Sequence, residues 1–336
     1  MKDLIKAYTL SILLSLIALA FLSANAYSQR DFEQKDKSGL FAIAKNGKWG
    51  YIDRSGKIVI EPIFEAAFPF TEGLSRVQLN GKWGYINPEG IIVIVPRYNG
   101  ADRFSGGLAG VMTEGRSGYV DKTGTIVIPA RFDDSMPFSE GLAGVRLNGK
   151  WGFIDKTGKL VIEPKYHEVS RFSDGVAAVL VGKRYGYIDH SGQFVIKPVY
   201  DFAIPFTEGI ATVALNKKFG YIDKQGIFVV QPQFKNANRF SDGLARVQVR
   251  RKWGFIDRTG AFVITPRFKK VNRFTEGFAG VQVGSKWGFI DRAGKPVIKP
   301  VYDYIDPFSE GLARVQEGHK WGYIDTTGKY IFEPCE

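Results

Sequence analysis

From residue 39 onward, apolar and polar positions alternate over short runs, and the runs recur at one fixed spacing. Ser75, Val77 and Leu79 alternate with Arg76 and Gln78, and Trp83 and Tyr85 alternate with Gly84 and Ile86. Period two marks β-strands, and the β-branched and aromatic residues filling these runs favour a pleated backbone. A Val/Ile run ending in x-Pro supplies a third strand in every unit, and no stretch shows helical spacing. The aromatic position recurs as Trp49, Trp83, Ser117, Trp151, Tyr185, Phe219, Trp253, Trp287 and Trp321, each 34 residues after the last. Nine copies without insertion or deletion predict a solenoid, propeller or array, in which each unit buries its apolar face against its neighbours.

The links carry turn chemistry. Asn80-Gly81 and Asn148-Gly149 tolerate the positive φ of a tight hairpin. The next link places an acid three residues before a glycine, as in Asp53 and Gly56, Asp155 and Gly158, and Asp257 and Gly260. Such a side chain accepts backbone N–H groups while the glycine takes the left-handed position, so Asp-x-x-Gly reads as a structural turn. The connector between units opens with a proline and keeps two aromatics, Phe64 and Phe70 in the first copy. Irregular structure with a short helical turn is expected there, the proline ending the strand before it.

The array opens at Gly39 with a whole unit and closes at Pro334 with a whole unit. Closed propellers often share one blade between the two termini, and four-stranded blades take about 40 residues or more. An all-β, open, twisted array of nine three-stranded meanders is therefore expected, with a closed propeller-like ring as the alternative.

Residues 1–26 have a basic start at Lys2 and Lys6, an apolar run from Leu10 to Leu22 and a small-residue site at Ala24-Asn25-Ala26. They read as a secretory signal peptide, followed by a polar leader over 27–38 and the array over 39–334. The apolar run is shorter than the roughly 20 residues that span a membrane, and no later stretch is continuously apolar, so the mature chain is expected to be periplasmic, cell-surface or secreted. The formal charge is +12; removing Lys2, Lys6 and Asp3 takes away two positives and one negative and leaves +11. That balance favours anionic surfaces, or simply keeps an aromatic-rich array soluble. The lone Cys335 makes no internal disulfide.

With Lys-Trp-Gly-Tyr/Phe-Ile-Asp, the following glycine, Val-Ile-x-Pro and Phe-Ser-Glu-Gly recurring in phase, the chain from Gly39 to Pro334 resembles the bacterial WG-repeat (KWG-repeat) proteins. The resemblance implies a mostly β, often exported repeat region, and it carries over no catalytic residue. Ser117, Tyr185 and Phe219 depart from the family's Trp.

Candidate chemistry is sparse. His167, His190 and His319 fall at three different phases of the repeat, which argues against a metal cluster, and no nucleotide, zinc or nucleophile motif occurs. No cofactor and no specific nucleic acid are expected. Paired carboxylates from the Asp53 row and the Glu72/Glu140/Asp174 row could serve a polysaccharide-acting enzyme, yet eight or nine equivalent copies argue for a structural role. The most regular polar feature is basic: Lys48, Lys82, Arg116, Lys150, Arg184, Lys218, Lys252, Lys286 and Lys320 each precede the aromatic position. This row is either a stripe for an anionic polymer, summed by multivalency, or a set of partners for the acidic rows, the simpler reading. The six Trp residues, Trp49, Trp83, Trp151, Trp253, Trp287 and Trp321, read as core knobs rather than a sugar-stacking surface. In the third unit Ser117 replaces Trp, and an opening beside it near Asp133 and Asp134 would make a local notch, although drift in one tolerant unit explains the change as well. Together these observations predict an exported, non-enzymatic scaffold binding an envelope protein or an anionic envelope polymer. The alternatives are a purely structural spacer and a cell-wall enzyme.

Overall fold

The computed structural model describes residues 38–335; the proposed signal peptide and all but Ser38 of the polar leader lie outside the described residues. The array forms a closed nine-bladed β-propeller. Blade 1 comprises β1 (Phe41–Lys45), β2 (Lys48–Ile52) and β3 (Ile58–Phe64). Blade 2 adds a short strand and runs β4 (Ala66–Ala67), β5 (Ser75–Leu79), β6 (Lys82–Ile86) and β7 (Ile92–Tyr98), each antiparallel to the next. Seven further four-stranded blades repeat this order, and no helix occurs among the described residues.

The connector is thus a strand rather than an irregular link with a helical turn. Two residues are too few to show alternation in sequence, but they add a fourth strand within 34 residues. The proline does not end the third strand either. Pro96 lies within β7, where a bulge lets Tyr85 pair with Ile94 and Trp83 with Tyr98. The bulged backbone folds onto the glycine of the Trp-Gly pair. A Cβ at Gly84 would stand 2.4 Å from the Ile94 carbonyl oxygen and 2.6 Å from the Pro96 nitrogen. Glycine is required there because the neighbouring strand occupies its side-chain space.

The core lies between blades. Leu74, Tyr85, Ile94 and Tyr98 of blade 2 pack on Phe104, Ala109, Val111 and Val120 of blade 3, and corresponding clusters join every consecutive pair through blade 9. A ninth cluster unites Ile43 and Ile52 of blade 1 with Leu312 and Tyr323 of blade 9. The Tyr323 hydroxyl donates to the Ala42 carbonyl at 2.8 Å, Phe41 meets the Tyr323 ring edge-on at 5.6 Å, and Arg54 pairs with Glu310. Nine blades with nine interfaces close a ring, whereas an open array would have eight. The expectation of an open array is therefore overturned. Whole units at both ends do not forbid closure: Ile43, Ile52, Leu312 and Tyr323 meet as their equivalents do in internal pairs, and Phe41 gives Tyr323 the ring contact that Phe104 gives Tyr85.

Candidate binding face

Each blade has two ends. Strand β5 runs from a turn at Glu72-Gly73 to a hairpin at Asn80-Gly81, and the loop from Asn87 to Gly90 returns to the first end. At the first end equivalent segments of successive blades touch. The Ser105 hydroxyl donates to the Phe138 carbonyl at 2.6 Å, Ser139 to Phe172 at 2.7 Å and Ser241 to Phe274 at 2.7 Å. Spacing between equivalent points grows with distance from the ring axis, so these turns form the inner rim.

The acids of this rim clasp the next blade. Glu72 accepts the N–H groups of Gly106 at 2.7 Å and Gly107 at 2.9 Å, and Lys122 approaches it at 3.5 Å. Glu276 accepts the N–H of Glu310 at 2.7 Å and of Gly311 at 2.9 Å. Glu140 and Asp174 accept N–H groups of Gly175 and Gly209 in the same way. These acids adopt left-handed φ, 52° at Glu72 and Glu140, a strained state for a side chain of that size. Around the same end Asp155 accepts the Thr157 hydroxyl at 2.6 Å and the N–H groups of Thr157 and Lys159, while Gly158 takes φ 86°. The hydroxyl bond leads in holding the Asp155 carboxyl below its usual range, and Ser55 and Thr259 do the same for Asp53 and Asp257. Gly56 and Gly260 share the left-handed geometry.

The opposite end carries the basic row. Lys48, Lys82, Arg116, Arg184, Lys218, Lys252 and Lys320 are exposed, and Lys150 and Lys286 are half-buried. Three are engaged by the acid 17 residues later: Arg116 with Asp133, Arg184 with Asp201, and Lys286 with Asp303 at 2.6 Å. That acid also accepts an N–H from the next blade's hairpin, Gly149 on Asp133 at 3.1 Å and Gly318 on Asp303 at 2.8 Å. It therefore joins two blades across their junction. Glu65, Asp133, Asp201 and Asp303 are acidic at this position, Asn99 and His167 are not, and Lys235 and Lys269 reverse the charge. The nine hairpins, positions 45–48 and their equivalents, hold fourteen cations and two acids, Glu114 and Glu317, and the eight junctions between consecutive blades hold four acids and two lysines, so this face is net positive.

The remaining candidates separate. Trp151 and Trp287 are buried, and Trp49, Trp83, Trp253 and Trp321 are half-buried. The residue two further on is the deeper core element. Tyr85 is 0% exposed and donates its hydroxyl to the Asp102 carbonyl at 2.7 Å. Ser117 is itself buried, Asp133 is committed to Arg116 and Gly149, and Asp134 faces Arg146 at 3.7 Å, so the three do not converge on a notch. Sequence reasoning missed the arginines of blades 7 and 8. Arg246 donates to the Val271 carbonyl at 2.7 Å and to Asn238 at 3.2 Å. Burial, then the like charges of Arg273 and Arg239, push its guanidinium down to about 10. Arg239 and Arg273 share one repeat phase and Arg246 shares another with Arg76 and Arg314, so the arginines recur in the sequence but only the fold brings the two phases together. Among the described residues no group of His, Cys, Asp and Glu is placed to hold a metal, and no helix is long and apolar enough to cross a membrane.

Among solved structures the chain is similar to a eukaryotic initiation factor, with 13% identity over 90% of this chain and 96% of that one and a TM-score of 0.63. Dihydro-heme d1 dehydrogenase NirN is similar at 14% identity over 79% and 74%, TM-score 0.49, and Kluyveromyces lactis Hsv2p at 8% over 76% and 94%, TM-score 0.42. At such identity the first of these likenesses is one of fold. No curated protein matches the sequence. The family of WG containing repeats matches over 49–83, 83–116, 118–151, 151–185, 185–219, 219–253, 253–287, 287–321 and 321–334. The chain belongs to the WG-repeat family, and its repeats are the blades of a nine-bladed propeller.

Proposed function

We propose that this chain is an exported, non-enzymatic propeller whose hairpin face binds an envelope partner, an anionic polymer before a protein. The supporting observation is the charge of that face: sixteen cations against six acids over its nine hairpins and the eight junctions between consecutive blades. Carboxylates elsewhere support the same reading, since the rim acids are spent on N–H groups of the next blade rather than presented in pairs. Exposed cations repeated around a rigid ring give weak contacts that sum over a long ligand. The test is capture from envelope extract at low and high salt, by the parent and by a variant with Lys82, Lys150, Lys252 and Lys286 changed to Gln. A salt-sensitive polymer held by the parent and lost by the folded variant supports binding. Equal capture of nothing overturns it and leaves the structural-spacer reading, which is favoured by the three row cations already engaged at blade junctions.

A further inference from the structure

The hairpins of blades 6 and 7 are built unlike the rest. Blades 1, 2 and 4 turn on Asn-Gly, whose second residue takes left-handed φ at no steric cost. Blade 6 turns on Asn216-Lys217 at φ 51° and 62°, and blade 7 on Arg250-Arg251 at 47° and 65°. Two successive arginines are thus held in a conformation their Cβ atoms oppose, and both side chains are exposed, so core packing does not demand them. Strain kept where packing gains nothing points to function.

The junctions on either side of blade 7 are altered in the same direction. Elsewhere this position lies between the row cation of one blade and the hairpin of the next, as Asp201 does between Arg184 and the Lys217 N–H at 3.1 Å. In the repeat, that place puts Lys235 between Lys218 and the arginine hairpin, and Lys269 between Lys252 and the hairpin of blade 8. Lys270 follows directly. All are exposed, and positions 216–218, 235, 250–252 and 269–270 include no acid. The junction position is acidic at Glu65, Asp133, Asp201 and Asp303 but basic at both junctions of blade 7, and with the two hairpins this leaves a continuous basic arc across three adjacent blades.

We propose that this arc, from Lys217 to Lys270, is the binding site for a linear polyanion bearing phosphate or carboxylate groups along its length. The inference rests on the binding reading above and supplies its site and ligand class. The cations are exposed and strung along the rim rather than gathered in a cleft, so a small anion would meet only one or two of them. A chain following the rim meets them in succession and releases the counterions they gather.

The repeat itself supplies a fold-compatible test. In the sector variant Lys235→Asp, Lys269→Asp, Arg250→Asn and Arg251→Gly install residues that sister blades carry at Asp201, Asp303, Asn148 and Gly149. In the control, Lys197→Glu, Lys299→Glu, Lys57→Gln and Lys295→Gln install those of Glu61, Glu163 and Gln193 at exposed sites off the arc. Each set reverses two charges and neutralises two, a change of six units. Binding is measured with long-chain inorganic polyphosphate, with polygalacturonate, and with phosphatidylcholine vesicles containing phosphatidylglycerol. The parent is expected to bind a polymer with affinity falling steeply with salt. The sector variant, no less heat-stable than the parent, is expected to bind at least about tenfold more weakly, and the control within about threefold of the parent. Equal losses in both variants mean net charge alone acts and overturn the site while the binding reading stands. Binding to vesicles but not polymers overturns the polymer assignment. A parent that binds neither polymers nor vesicles overturns this inference together with its anionic-ligand basis.

Discussion

Ile52 lies on the face of blade 1 turned toward blade 9, wholly buried with Ile43, Leu312 and Tyr323. In an open array that face would be a free end and Ile52 would be solvated. Ile154 occupies the equivalent place in blade 4, between blades 3 and 4, and is equally buried. Replacing either by Ala removes three buried carbon atoms, about 2.4 kcal/mol at ~0.8 kcal/mol each, before any cavity cost. With the cavity the loss falls at about 3 kcal/mol, inside the range measured for such truncations. Val59→Ala, at a position 45% exposed on blade 1, serves as the surface control and should shift stability by about 0.5 kcal/mol or less. The assay is urea unfolding followed by tryptophan fluorescence, with stability compared through midpoint and slope. A ring requires Ile52→Ala and Ile154→Ala to cost about the same. A loss near 3 kcal/mol for Ile154→Ala beside a surface-like loss for Ile52→Ala would refute closure.

Gly84→Ala would drive a Cβ into the Ile94–Pro96 backbone, and about 3 kcal/mol of destabilisation is expected in the same assay. Gly73→Ala meets no atom within 4 Å but sits at φ 88°, so its smaller loss of about 1–2 kcal/mol would separate backbone strain from steric overlap. Arg251→Gly relieves left-handed strain of about 1–2 kcal/mol against a chain-entropy cost of about 0.5–1 kcal/mol, so an unchanged or raised melting temperature is expected. For pH, hydroxyl bonds to Asp53, Asp121, Asp155, Asp189 and Asp257 hold these carboxyls below their unfolded value. Folded values below unfolded ones contribute stability that is fully present above the unfolded pKa of about 3.9 and is lost as pH falls through the folded values. The urea midpoint should therefore fall below about pH 4, and Ser55→Ala, Thr123→Ala, Thr157→Ala, Ser191→Ala and Thr259→Ala together should shrink that fall.

Much of the blade was legible because its determinants are local. Alternation in Ser75 to Leu79 and in Trp83 to Ile86 marks two of the long strands, and Asn80-Gly81 marks their hairpin. What failed was non-local. The two-residue strand Ala66–Ala67 has no period to display, and the bulge that seats Pro96 over Gly84 is a relation between strands. Closure left one small mark: Ile43, Ile52, Leu312 and Tyr323 are residues an internal blade would carry, whereas Phe41, which meets Tyr323, stands where the other blades hold Ser or Ala. The basic row was visible, but its partner lies half a period away, and only the fold shows that the position shared by residues 133, 201 and 235 lies against the row cation. The cation adjoins the aromatic position in sequence, whereas the junction that decides whether it is neutralised adjoins it only in space.

A repeat protein makes most of its residues nine times, so a position kept in most blades serves the blade, and a coordinated departure serves something else. Ser117 changes bulk without changing charge, and the blade absorbs it as a buried side chain. Blades 6 to 8 depart together, at the hairpins of blades 6 and 7 and at the two junctions of blade 7, toward positive charge. Independent drift would scatter such changes among nine blades and both signs. Like charges gathered on one arc also repel one another, a cost that is recovered when a polyanion binds. Ring closure gives the arc its value: each blade is fixed by two neighbours, so the cations hold their spacing without the ligand and less ordering is left to binding.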